Sequence, residues 1–137
     1  MSKFSDYTEN NIIETTLRGA AFPVPLGVYV ALFTSDPTDA GSGTEATWPS
    51  YARQDAADGG PVSDGWGAAS DGSTSNALAI TFPPNDGVSQ ITITHIGIYD
   101  DSVGGNLLYH AGLTSTKTLA VSDVISFATG AITVNVA

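Results

Sequence analysis

The two histidines of this 137-residue chain fall close together, in "ITHIGIYDDSVGGNLLYHAGL", Ile93 to Leu113. His95 and His110 lie on two apolar runs joined by the turn-forming pair Gly104-Gly105. Imidazoles on adjacent strands can contribute to a metal site, but a closed zinc site takes about four ligands. Asp100 and Asp101 stand at the strand end, several residues away along the chain. Strict alternation puts Ile91, Ile93, His95, Gly97 and Tyr99 on one face, and Thr92, Thr94, Ile96, Ile98 and Asp100 on the other. The pattern predicts His95 packed across strands against Tyr109 or His110, with His95 the more deeply buried histidine.

Other chemistries find less support. Asp36, Asp39, Asp58, Asp64 and Asp71 lie in Gly- and Ser-rich segments whose oxygens suit Ca2+. No spacing matches the twelve-residue calcium loop, and Asx turns account for these residues without a metal; no cofactor is expected. No serine sits in Gly-x-Ser-x-Gly, and neither GxxxxGK nor a strand-linked GxGxxG is present. Paired carboxylates for glycoside hydrolysis need a set separation across a cleft, and fourteen acids offer plausible pairs by number alone. The residues therefore predict no enzyme. Trp48, Tyr51 and Trp66 lie in or beside long loops. Exposed in a row they would stack on sugar rings, as in a carbohydrate-binding module; otherwise they cover sheet edges or a subunit interface.

Charge narrows the partners. Fourteen carboxylates face only Lys3, Arg18, Arg53 and Lys117, for a net charge of −10. That balance argues against direct nucleic-acid binding and against anionic membranes. The chain has no cysteine, which excludes disulfides and thiolate chemistry. No basic-then-apolar leader opens it, and no run has the length of a membrane span. Its length and its 42% apolar content fit one domain with an ordinary core.

The positioning elements follow from periodicity. "SKFSDYTENNIIETTLRGAA" reads as one short helix. Ser5 or Asp6 caps it, and Asp6 with Glu9 has capping-box spacing. Ile13, Leu17 and Ala20 share a narrow face beside Ile12, and Gly19 with Pro23 and Pro25 ends the helix. A helix this short needs a partner, either its own sheet or a neighbouring subunit. Strands are predicted at Gly27–Thr34, Asn76–Phe82, Ile91–Tyr99, Asn106–Leu113, Thr118–Val121, Val124–Ala128 and Ala131–Val136. "YARQDAA" is a further short candidate. "DGGPVSDGWGAASDGST" reads as an exposed excursion anchored by Trp66. Strands every ten or so residues, with no room for crossover helices, specify an all-β fold: an antiparallel β-sandwich, with a jelly roll as one form of it. The expected division is an N-terminal helical arm at 1–22 and a sandwich domain at 23–137 with a long loop around 55–75.

The runs "YTENNIIETTLRG", "VYVALFTSDPTDAGSGTE", "YARQ" and "ITHIGIYDDSVGGNLLYHAGL" with a trailing Lys117 together resemble a family of small tailed-phage virion proteins, described as tail, tail-fibre or other structural proteins. The likeness covers nearly the whole chain, and Asp55 to Ser70 is individual. It implies a structural protein made in the host cytoplasm and carried on the virion, which needs no leader because particles leave by lysis. The leading expectation is a capsid decoration (cement) protein on the shell exterior, a homotrimer bridging subunits of the major capsid protein. A tail-associated adaptor or fibre protein is the alternative. Phe4, Tyr7, Ile13 and Leu17 from the arm, together with Arg53 and Trp66, are the interface candidates. Arg53 would meet an acidic coat site, or else Asp55 or Asp58 of its own chain.

Overall fold

Ser5 starts the helix. In the computed structural model, which describes residues 2–136, α1 runs Asp6–Arg18, and the Ser5 Oγ accepts the Thr8 N–H at 3.2 Å. The reciprocal box expected from Asp6 and Glu9 is replaced by this Ser5–Thr8 pair. Gly19 closes the helix at φ +73°, a left-handed conformation that costs glycine little.

The rest is mostly antiparallel β-structure, as the strand spacing predicts. A five-stranded sheet has the order β1-β7-β6-β2-β3. Its strands are β1 (Lys3–Phe4), β2 (Tyr29–Phe33), β3 (Gln54–Asp55), β6 (Ile91–Tyr99) and β7 (Leu107–Leu119). Two further pairs join β4 (Ser73–Ser75) to β9 (Thr133–Asn135), and β5 (Ile80–Thr81) to β8 (Ser126–Phe127). This is a sandwich of five, two and two strands, not the two four-stranded sheets of a jelly roll.

Several expected strands shrink or merge. Asn76–Phe82 forms a strand only at Ile80–Thr81, with an isolated bridge from Asn76 to Trp66, because the Asn76 side chain takes over local bonding. Its Nδ2 donates to the Leu78 and Ala128 carbonyls, and its Oδ1 accepts the Ile132 N–H. The segments read as Asn106–Leu113 and Thr118–Val121 are one strand, β7, which continues through a Thr/Ser-rich stretch. The excursion holds structure of its own, a 3-10 turn at Val62–Asp64 and β4.

β6 and β7 carry the fold, and two irregularities between them decide which side chains face where. Ile93 pairs with Lys117, but His95 pairs with Gly112. One residue of β6, Thr94, therefore stands opposite four residues of β7, Leu113 to Thr116. That bulge resets the alternation. Ile93 and Ile96 both enter the main core, and His95 shares the opposite face with Phe33, its partner on β2. The strict alternation of the sequence reading fails at this point. The second irregularity leaves Leu108 as an extra residue, since Ile98 pairs with Tyr109 and Tyr99 with Leu107.

The main core gathers Val30, Leu32, Ile93, Ile96, Ile80 and Phe82 between the large sheet and the loops and short strands covering it. Each fully buried side chain of this size stabilises the fold by about 1.5–3 kcal/mol. A smaller cluster of Ala31, Phe33, Tyr99 and Leu107 fills the other face, where the loop carrying Gly41 reaches Leu107 and Tyr99. Gly97 lies beneath it. A Cβ there would stand 2.9 Å from Phe33 and 3.0 Å from Leu107, so a larger residue would have to push these packed side chains aside.

Candidate interaction surface

Arg53 leaves β2's neighbouring loop and turns inward. Its Nε and Nη2 donate to the two Glu45 oxygens, each at 2.9 Å, and its Nη1 donates to the Asp101 and Gly104 carbonyls at 3.1 and 2.7 Å. The guanidinium lies 3.6 Å from the centre of the Tyr99 ring. Burial disfavours its charge, but the bond and charge of Glu45 more than offset this and raise its pKa. The Arg53 side chain is 9% exposed and Glu45 29%. Neither Asp55 nor Asp58 is its partner. Both Asp55 oxygens instead accept backbone N–H groups, of Ala57 and Gly59. Arg53 therefore clips the β6–β7 hairpin tip to the loop before β3.

The histidines converge on one loop. His110 Nε2 lies 2.8 Å from Asp39 Oδ1, and its Nδ1 lies 3.6 Å from Asp36 Oδ1. His95 Nε2 is 3.9 Å from Asp36 Oδ2. The order of burial reverses the expectation, with side-chain exposure of 3% for His110 and 25% for His95. His110 lies between β1 and β6 under the Asp36–Asp39 loop, whereas His95 stands beside the bulge, between Phe33 and Gly112. Asp36 is held below the ordinary carboxylate value of 3.8 by the Thr38 N–H, helped by both histidines and Lys3. Asp39 also offers its carbonyl to the Asp6 N–H at 2.9 Å, so the same loop holds the start of α1. A general base needs an open path to substrate, and the buried imidazole is engaged by carboxylates instead. The cluster is a clamp.

The aromatic row foreseen for sugars is absent. Trp48 is buried, packed edge-on against Tyr51 at 4.9 Å, and Tyr51 stacks on Phe82. The Tyr51 hydroxyl accepts the Leu32 N–H and donates to Glu45. Trp66 packs back against the core, as its anchoring role requires. Of the loop acids, Asp36 holds its own turn and Asp58 and Asp71 sit in turns at positive φ, whereas Asp39 binds His110. Among the described residues no group of three or more His, Asp or Glu is placed to hold a metal. Nor, among the described residues, is any helix long and apolar enough to cross a membrane.

The arm and the segment after it gather several exposed apolar side chains along one stretch, whereas others, such as Val88 and Val103, stand apart. Phe4 stacks on Tyr109 at 5.5 Å and, like Tyr7, is half-buried. Thr8 is the buried face of α1. Its hydroxyl donates to the Leu108 carbonyl, which also accepts the Ser5 N–H, and the Ser5 hydroxyl donates to the Leu107 carbonyl. The irregularity at Leu108 thus builds the seat for the helix start. The far half of the helix is more exposed, although Ile12 and Thr15 stay half-buried. Ile13 is 51% and Leu17 80% exposed, followed by Val24 at 81% and Leu26 at 98%. Of the six interface candidates, Ile13 and Leu17 stand free, Phe4, Tyr7 and Trp66 are partly covered, and Arg53 has its donors engaged within the chain. Glu45 and Leu108 were missed by sequence reasoning. Each acts through a long-range partner that no local period marks.

Residues 3–135 match the family described as Podophage GP4 fiber I protein gp80. A comparison with the curated proteins finds no match. The chain therefore belongs to the Podophage GP4 fiber I protein gp80 family and is a structural protein of a phage virion.

Proposed function

We propose that the chain is a fibre-type subunit on the virion exterior, held to its neighbours through the outward face of its helical arm. The observation that carries this reading is the run of exposed Ile13, Leu17, Val24 and Leu26 along the arm and the segment that follows it. Exposed apolar side chains concentrated in one segment mark protein contacts. The family description supports a fibre or tail position. Capsid decoration is the second reading, favoured by the compact β-sandwich; there the arm would bridge the major capsid protein. Both readings require no cofactor, and the closed His110 clamp supports a role without catalysis.

The test is an Ile13→Asp/Leu17→Asp double variant supplied to assembling particles. These side chains face solvent, so its melting should match the parent while its incorporation falls at least ten-fold. Normal incorporation would remove the arm from the attachment role. Electron cryomicroscopy of intact particles then assigns the tail or the shell by where the subunits lie.

A further inference from the structure

We propose that the occupant of this apolar surface is a second copy of the chain, engaged by exchange of the N-terminal unit. Residues 2–18 of one copy dock on the β7 edge of another, with residues 19–28 as the hinge. The proposal rests on the reading of the arm as a subunit contact and names its partner.

Three observations carry it. The unit attaches to the body through a compact set of contacts: β1 pairing with Tyr109 and His110, Ser5 and Thr8 on Leu107 and Leu108, Asp6 on Asp39, and Ser2 bonded to Asn135. An exchanged unit remakes every one of them, so only association entropy opposes the swap.

The connection is the second observation. Among the described residues, none from 21 to 27 makes a hydrogen bond. Pro23 and Pro25 fix their own φ and push the residues before them toward extended backbone. The eight residues 20–27 can reach about 27 Å at roughly 3.4 Å each. Phe22 and Pro25 line an apolar cavity of about 290 Å3 shared with Trp66, Ile98, Leu108 and Tyr109, so the strap is loosely packed in its closed position. Straightening it gives up little.

The third is what the closed form leaves uncovered. Leu17, Val24 and Leu26 flank or lie in the hinge, and exchange brings two such hinges together. Residues 15–35 contain no carboxylate in a chain carrying fourteen, so the hinge itself brings no acid to a contact between copies of net charge −10. Elsewhere their repulsion is felt over about 8 Å at physiological salt.

The absence of cysteine makes the test clean. Phe4→Cys and Tyr109→Cys are prepared as separate chains, one of them labelled with 15N, then mixed, refolded and oxidised. Exchange joins the labelled and unlabelled chains through the two substituted positions, at least ten-fold above a Val88→Cys/Val103→Cys control mixture. The same signal is expected from Ser2→Cys mixed with Asn135→Cys, which reads the docking should loss of the Phe4 ring disturb folding. Mixed chains that stay unlinked, while a single chain carrying Phe4→Cys and Tyr109→Cys forms only an internal disulfide, would overturn the proposal. Linked chains with normal particle entry of the Ile13→Asp/Leu17→Asp variant would leave exchange standing and remove the attachment reading. Unlinked chains whose particle entry still needs the arm would do the reverse.

Discussion

Replacing Arg53 by Met tests whether one buried cation ties the hairpin tip to the body. Removing one member of a desolvated pair costs about 3–5 kcal/mol, chiefly because the partner stays buried and unpaired. Glu45 keeps 29% exposure and its bond from Tyr51, which places the cost at the lower end. Loss of the contact with the Tyr99 ring adds about 1 kcal/mol. The Asp101 and Gly104 carbonyls lie at an exposed tip and can rehydrate, so they add little to the global cost. The sum is about 3–4 kcal/mol, or roughly 10 °C in melting temperature for a domain of this size. Urea titration followed by the fluorescence of Trp48 and Trp66 measures it. Arg53→Met combined with Glu45→Met should recover part of the loss, with a coupling of at least about 1.5 kcal/mol. A loss below about 1 kcal/mol, or strict additivity in the double variant, would refute the clip.

Two further outcomes follow from packing and burial. Gly97→Val forces a branched side chain against Phe33, Leu107 and Tyr99, and should cost about 2–3 kcal/mol in urea titration; a neutral result would mean that this face is not close-packed. Burial raises the pKa of Tyr51, Tyr99 and Tyr109 above the ordinary 10.0, so each favours its neutral form when folded. The stability they contribute is complete below pH 10 and lost as pH rises past it. The urea midpoint should therefore drop between pH 9 and pH 11, and an unchanged midpoint would contradict the burial.

The sequence showed its local signals faithfully. Ser5 and Gly19 bound the helix where capping chemistry says they should, and the Ile91–Tyr99 strand stands at its predicted limits. Its facing was misread because alternation assumes an unbroken register, and the bulge opposite Thr94 depends on how β7 pairs, which no window of the sequence contains. Trp48 and Tyr51 looked like loop aromatics because polar neighbours flank them, yet the loop folds inward and both enter the core. The apolar stripe of α1 was legible, but not which way it faces. The burial of Thr8 is set by the Leu108 carbonyl, a hundred residues away in the chain. The clamp was half visible: the histidines stood out, while the loop that closes on them could be placed only by the fold.

The knuckle formed by Leu113 to Thr116 has a practical consequence. The strand pairs on either side of it hold their own registers, Ile93 with Lys117 and His95 with Gly112, and Thr114, Ser115 and Thr116 are exposed. Chain length can change between Thr114 and Ser115 without re-indexing either flank. A short foreign epitope grafted there would bulge outward while leaving the paired flanks in place, making this position a natural display port on the particle.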